Sequence, residues 1–206
     1  MGAAMEASTP SRITGRSMAK ASRRAALLDA AAQLFADRGY NGVSIEDLGA
    51  AAGVSGPAVY RHFSNKPAVL AALLAGVSED LLRGSNAVVA GAPDPASALR
   101  GLIEFQVDFA LRNANVIRVQ DRDLNSLTPE DEHTVRFLQR QYVEVWVDVM
   151  AMLLPDDDPA QLRRKAHAAF GLINSTPHTT PRRKSSSDIA DLRLLLEKMA
   201  WSALNA

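Results

Sequence analysis

Apolar residues recur along this chain at the three- and four-residue spacing of helices, and no segment shows the alternation of a strand. Leu27, Ala31, Leu34 and Phe35 make one helix face, followed by Gly39, where a left-handed stop costs little. Ser44 and Asp47 have the spacing of a capping box at the start of a second, short helix with Ile45, Leu48 and Ala52 inside. Gly53-Val54-Ser55 is a three-residue turn. A third helix is expected over 56–63, with Ser55 as N-cap, Pro57 in the first turn, and Val59 and Phe63 inward. Asn65 is placed to cap a fourth helix striped by Leu70, Leu73, Leu74, Val77 and Leu81, and Pro93-Asp94-Pro95 ends that region.

Further helices are expected over 95–113, 115–127, 128–154, 160–175 and 188–203, with a polar loop at 176–187 carrying Arg182, Arg183 and Lys184. The segment 128–154 is apolar on two faces, as a helix central to a bundle would be. An all-α fold follows.

Composition narrows the class. Apolar residues at 47% supply a core. The absence of cysteine removes disulfides and thiolate chemistry and fits a reducing compartment. No apolar run reaches the roughly 18 residues of a membrane span, and no signal-peptide stretch opens the chain, so a cytoplasmic protein with no membrane partner is expected. Net charge is zero, yet residues 1–24 carry Arg12, Arg16, Lys20, Arg23 and Arg24 against Glu6 alone. Residues 1–20 read as a disordered basic arm, either a solvated tail or a segment for a polyanion.

A helix, a three-residue turn and a second helix within about twenty residues is the geometry that lays a short helix in a DNA major groove. Gly53 tolerates the positive φ of the turn, and Ala50, Ala51 and Ala52 would let the helices approach. Ser55, Gly56, Pro57, Ala58 and Arg61 face the groove in this reading. Tyr60, His62 and Lys66, with the helix starts at Ser44 and Ser55, would meet phosphates.

Three stretches carry a resemblance: 24–40 (RAALLDAAAQLFADRGY), 44–55 (SIEDLGAAAGVS) and 57–63 (PAVYRHF), followed by Asn65-Lys66. They resemble the first four helices of TetR/AcrR-family transcriptional regulators. Gly56 departs from the basic or polar residue frequent there. The resemblance implies a three-helix DNA-binding head over 21–66 and a helical ligand-binding and dimerisation domain over 67–206. It also implies a homodimer through the last two helices, bound to a double-stranded DNA operator. Such proteins mostly repress and let go of DNA when a small effector binds; some relatives take acyl thioesters. Phe170, Ile173, Leu192, Leu195, Leu196, Met199 and Ala203 recur at helical spacing on those last two helices.

Phe105, Phe109, Phe137, Tyr142, Trp146 and Phe170 are candidates for lining a pocket, or are ordinary core. Few polar anchors stand among them, which suggests a large, partly apolar ligand. Arg118, Arg122, Arg136 and Arg140 form i, i+4 pairs suited to an anion or to carboxylates such as Asp121 and Glu132. His62, His133, His167 and His178 lack metal-ligand spacing, and Asp156–Asp158 reads as a solvated turn. No cofactor, metal or catalytic constellation is expected. A small helical enzyme with a DNA-binding head and a ligand-independent architectural DNA-binding dimer are the competing readings.

Overall fold

The structure, a computed structural model, describes residues 15–176 and 186–205. The readings made for Arg12, His178, Arg182, Arg183 and Lys184 lie outside these residues. The described residues form helices α1 (Gly15–Arg38), α2 (Ile45–Ala51), α3 (Gly56–Val59), α4 (Lys66–Gly91), α5 (Pro95–Arg112) and α6 (Ala114–Asp123). A 3-10 turn (Leu124–Ser126), α7 (Pro129–Leu153), α8 (Pro159–Asn174) and α9 (Ser186–Leu204) complete them, with no strand among them.

Four long helices start alike. A capping residue stands just ahead of a proline, which occupies a position whose N–H has no helical partner. Asn65 accepts from Ala68 N (2.8 Å), Asp94 from Ser97 N (2.8 Å), Thr128 from Asp131 N (3.2 Å) and Asp158 from Ala160 N (2.7 Å). The carboxylate run at 156–158 is therefore structural: Asp158 caps α8, and Asp157 pairs with Lys165 at 2.8 Å.

The start of α1 differs from the reading of 1–20 as a disordered arm, since 15–20 are helical. Met18, Ala19, Lys20 and Ala21 contain no helix breaker, and extending a helix already anchored by packing costs little per residue. The third helix is shorter than 56–63, although His62 N and Phe63 N still donate to the Val59 carbonyl at 2.8 and 3.0 Å.

Two apolar cores form. The first joins Leu27, Phe35, Leu48, Val59 and Phe63 of the head to Leu70 and Leu74 of α4, and also to Val116, Val119, Leu124 and Val135. The second joins α5, α7, α8 and α9 through Leu102, Val107, Trp146, Met150, Leu162 and Leu196. The boundary drawn at 66 thus falls in the first turn of α4, and the head's core reaches into α6 and α7. Neighbouring residues of α6 face different cores, Val116 the first and Ile117 the second.

α9 packs on α5 and α8 through Leu196, Ala200 and Leu204, leaving Ile189, Leu194, Leu195 and Met199 exposed. Of the face expected to meet a second copy, Leu195 and Met199 point outward. Ile173 and Leu196 are instead buried within the chain's own core.

Candidate nucleic-acid interface and effector cavity

In the head, Ser44 N and Ser44 Oγ donate to Asp47 Oδ2 at 2.9 and 2.7 Å, while Asp47 N donates back to Ser44 Oγ at 3.1 Å. The side-chain and backbone bonds from Ser44 hold the Asp47 carboxyl below its ordinary range. The donors of Ser44 are engaged in this box at the start of α2.

The turn holds Gly53 at φ 68°. Close approach of the two helices depends on Gly49 rather than on Ala50, Ala51 and Ala52. A Cβ on Gly49 would stand 2.8 Å from the Val54 carbonyl oxygen and 3.1 Å from Gly56 N, whereas Ala50 and Ala51 are exposed. The signal for this was a glycine placed mid-helix, a position that needs a packing reason.

Ser55, Pro57, Tyr60 and Arg61 are exposed around α3, with Gly56 and Ala58 half-buried between them. Ser55 makes no cap hydrogen bond through its side chain. His62 is half-buried with its Nδ1 enclosed and without a hydrogen-bond partner, which leaves it less of the outward role expected of it. Lys66 is held by the head itself. Its Nζ donates to the carbonyls of Tyr40 (3.0 Å) and Val43 (2.9 Å) and stands 4.4 Å from the Tyr40 ring centroid. Those carbonyls lie in the α1–α2 loop, outside any helix ladder, and the ammonium satisfies them. Arg24, by contrast, lies 5.0 Å over the Phe63 ring, which places an exposed cation beside α3.

In the body, a cavity of about 190 Å³ lies between α4, α5, α6, α7 and α8. Of the six aromatics expected there, Phe109, Tyr142 and Phe170 line it, with Tyr142 and Phe170 stacked at 5.4 Å. Trp146 is fully buried behind them, edge-on to Phe170 at 4.9 Å. Phe105 lines an adjoining groove, and Phe137, 49% exposed, lines neither.

The wall is more polar than its aromatics suggested. The Tyr142 hydroxyl donates to Gln106 Oε1 at 2.7 Å, and Gln106 Nε2 donates to Asn174 Oδ1 at 2.9 Å. Burial pushes the Tyr142 phenol well above its ordinary range, so it stays a neutral donor. Gln120, Gln139 and His167 also face the space.

The arginines read as suited to an anion or to carboxylates, Arg118, Arg122, Arg136 and Arg140, do not line this cavity. Arg136 pairs with Glu132 at 3.5 Å. Arg122 chelates Asp123 (3.1 and 2.9 Å) and donates to the α1 carbonyls of Ala36 (3.4 Å) and Phe35. One turn earlier on the same helix, Val116, Ile117 and Gln120 line the cavity. α6 therefore touches the empty space with one end and the end of α1 with the other. Among the described residues, no three His, Asp or Glu side chains gather as a metal site, and no helix is long and apolar enough to cross a membrane.

Residues 27–73 match the family model described as bacterial regulatory proteins, tetR family. The chain is 27% identical over 132 residues to the transcriptional repressor KstR2 of Rhodococcus jostii strain RHA1, covering 64% of this chain and 65% of that one. Its fold superposes with a TM-score of 0.76 on a TetR-family regulator from Bordetella parapertussis (23% identity, 86% and 93% coverage). It superposes with a TM-score of 0.67 on AibR in complex with isovaleryl coenzyme A and operator DNA (22% identity, 85% and 97% coverage). The head therefore carries the DNA-binding domain of the tetR-family model, and the whole chain has the fold of these solved regulators. The chain spans 65% of the length of the KstR2 relative, less than two thirds.

Proposed function

We propose that this chain is a cytoplasmic transcription repressor that binds a double-stranded DNA operator as a homodimer and releases it when a small, partly apolar effector enters the body. The observation that carries this reading is α6. Its first turns line the cavity, and Arg122 at its end holds the last carbonyls of α1. A molecule that displaces α6 shifts the head, and it releases DNA to the extent that it prefers the displaced state. AibR, solved with both an acyl thioester and DNA, shows that this fold accommodates the two kinds of partner.

On the DNA side, Ser55, Gly56, Pro57, Ala58, Tyr60 and Arg61 form the surface presented to the groove, Arg61 toward base edges and Tyr60 toward phosphates. The apolar face of α9 with Leu195 and Met199, continued by α8, is the surface for a second copy.

Selection of genomic fragments on the purified chain tests the reading. One short, twofold-symmetric sequence should be enriched, and Arg61→Ala should relax preference at particular base pairs by about 1–3 kcal/mol per lost contact. Retention of all fragments alike would refute sequence-specific regulation. Leu195→Asp with Met199→Asp should halve the mass seen by light scattering while leaving the helical circular dichroism intact. A wild-type chain already monomeric at micromolar concentration would remove the dimer.

A further inference from the structure

Four side chains of the cavity wall are carboxamides, Gln106, Gln120, Gln139 and Asn174, and none is Asp, Glu, Lys or Arg. Gln106 and Asn174 satisfy one another and Tyr142, so that wall is preorganised. Gln139 is different. Its Nε2 is fully enclosed and has no hydrogen-bond partner. A buried N–H without an acceptor is costly, and Gln139 lines the cavity, where a guest can bring an acceptor to it. One turn along α7 from Gln139, Tyr142 stacks with Phe170 and offers a flat apolar wall.

Charge and size restrict the guest further. An anion buried here would lose its hydration and find no Lys or Arg in the wall, where His167 is the one side chain that can carry a positive charge. The adjoining groove shares Leu81 and Phe109 with the cavity and holds Arg112, which is engaged by Asp108; Asp80 and Asp108 there are paired in turn with Arg83 and Arg193. The volume of about 190 Å³ lies below the roughly 300–1,000 Å³ of pockets for drug-sized ligands.

We propose that the cavity takes a small uncharged carbonyl compound on a compact apolar skeleton, its oxygen accepting from Gln139 Nε2 and its hydrocarbon packed on Tyr142 and Phe170. This rests on the effector reading of the same cavity, and it excludes the intact acyl thioester as the species bound.

The test is calorimetry on the full chain with four matched probes: cyclohexyl methyl ketone, ethylcyclohexane, cyclohexanecarboxylate and its coenzyme A thioester. The ketone should bind, and the hydrocarbon, which keeps the shape without the oxygen, should bind about tenfold more weakly. The carboxylate and the thioester should bind more weakly than the ketone by at least the same factor. Gln139→Leu, at a half-buried position, should remove the ketone's advantage over ethylcyclohexane. A thioester or carboxylate that binds more tightly than the ketone overturns the proposal. Equal affinity for ketone and hydrocarbon, or no ketone binding at millimolar concentration, also overturns it. Operator release is measured in parallel. Ketone binding without release refutes the regulatory reading and leaves the pocket chemistry standing, whereas release by the thioester alone does the reverse.

Discussion

Beneath α1, α2 and α3 the core is apolar throughout, from Leu27 and Phe35 to Leu70 and Leu74. The body is built otherwise. Each buried polar or charged residue among those described, Ser78, Ser85, Gln106, Asp123 and Thr176, comes after the head in the chain, and the body holds the amide-lined cavity. The difference assigns work to each region. A close-packed apolar unit moves as a rigid piece, because its contacts have no second arrangement of similar energy. A region with empty space and exchangeable hydrogen bonds has such arrangements, and a guest can choose among them. In the function proposed above, the asymmetry sets a sensor beside a reporter, with α6 in both.

The largest expected effect breaks the rigidity of the head. Lys66→Met removes the charged donor from the Val43 carbonyl and leaves the Tyr40 carbonyl with the long 3.4 Å bond from Val43 N, and bonds to a charged group are worth about 1.5–3 kcal/mol. Thermal denaturation should show a loss of about 3 kcal/mol, while the salt dependence of DNA binding stays unchanged. A reduced salt slope would return Lys66 to the phosphates.

A second substitution cuts the link between the regions. Arg122→Met removes the clamp on Phe35 and Ala36. Operator affinity should persist, while the effector concentration for half-release rises about tenfold, within the usual range of coupling energies. Unchanged release would mean that the signal travels by α4 instead.

The smallest effect probes the body's tolerance for charge. Burial and the neighbouring carboxylates Glu104 and Asp108 raise the Glu197 carboxyl above its ordinary range, against a lowering by Arg193. The folded state therefore holds that proton more tightly than the unfolded chain. The associated stability is present below the unfolded value and is lost as pH rises through the folded one. Glu197→Gln should stabilise the protein at pH 7 by less than about 1 kcal/mol. The gain should vanish in acid, where wild-type Glu197 is protonated in both states.

What the sequence made legible was local. The capping box of Ser44 and Asp47 and the cap at Asn65 join residues three apart, and Gly53 sits in its turn by its own conformational freedom. What escaped joins residues far apart. Lys66 finds Tyr40 across 26 positions, Gln106 finds Asn174 across 68, and Arg122 finds Phe35 across 87. Spacing rules describe one helix at a time, so Lys66 read as a phosphate contact, Arg122 as one of a pair suited to an anion or to carboxylates, and the amide wall went unseen. The aromatics were half legible: Phe109, Tyr142 and Phe170 reach the cavity, but a helical stripe does not distinguish a wall from the packing behind it, where Trp146 lies.

The brevity of α3 has a consequence in information. Around its one turn, Ser55, Tyr60 and Arg61 are the exposed side chains with hydrogen-bonding groups. Singling out one address among roughly 10⁶ competing sites takes about 20 bits. A base pair read in full supplies about 2 bits, because the major groove distinguishes all four pairs. In the homodimer proposed above, three side chains per subunit, even doubled by symmetry, fall short of that total. The remainder has to come from the DNA itself, through how readily a given sequence bends or narrows to bring both short helices into register. The operator for such a surface is a short word written twice, with a spacer chosen for its stiffness rather than its letters.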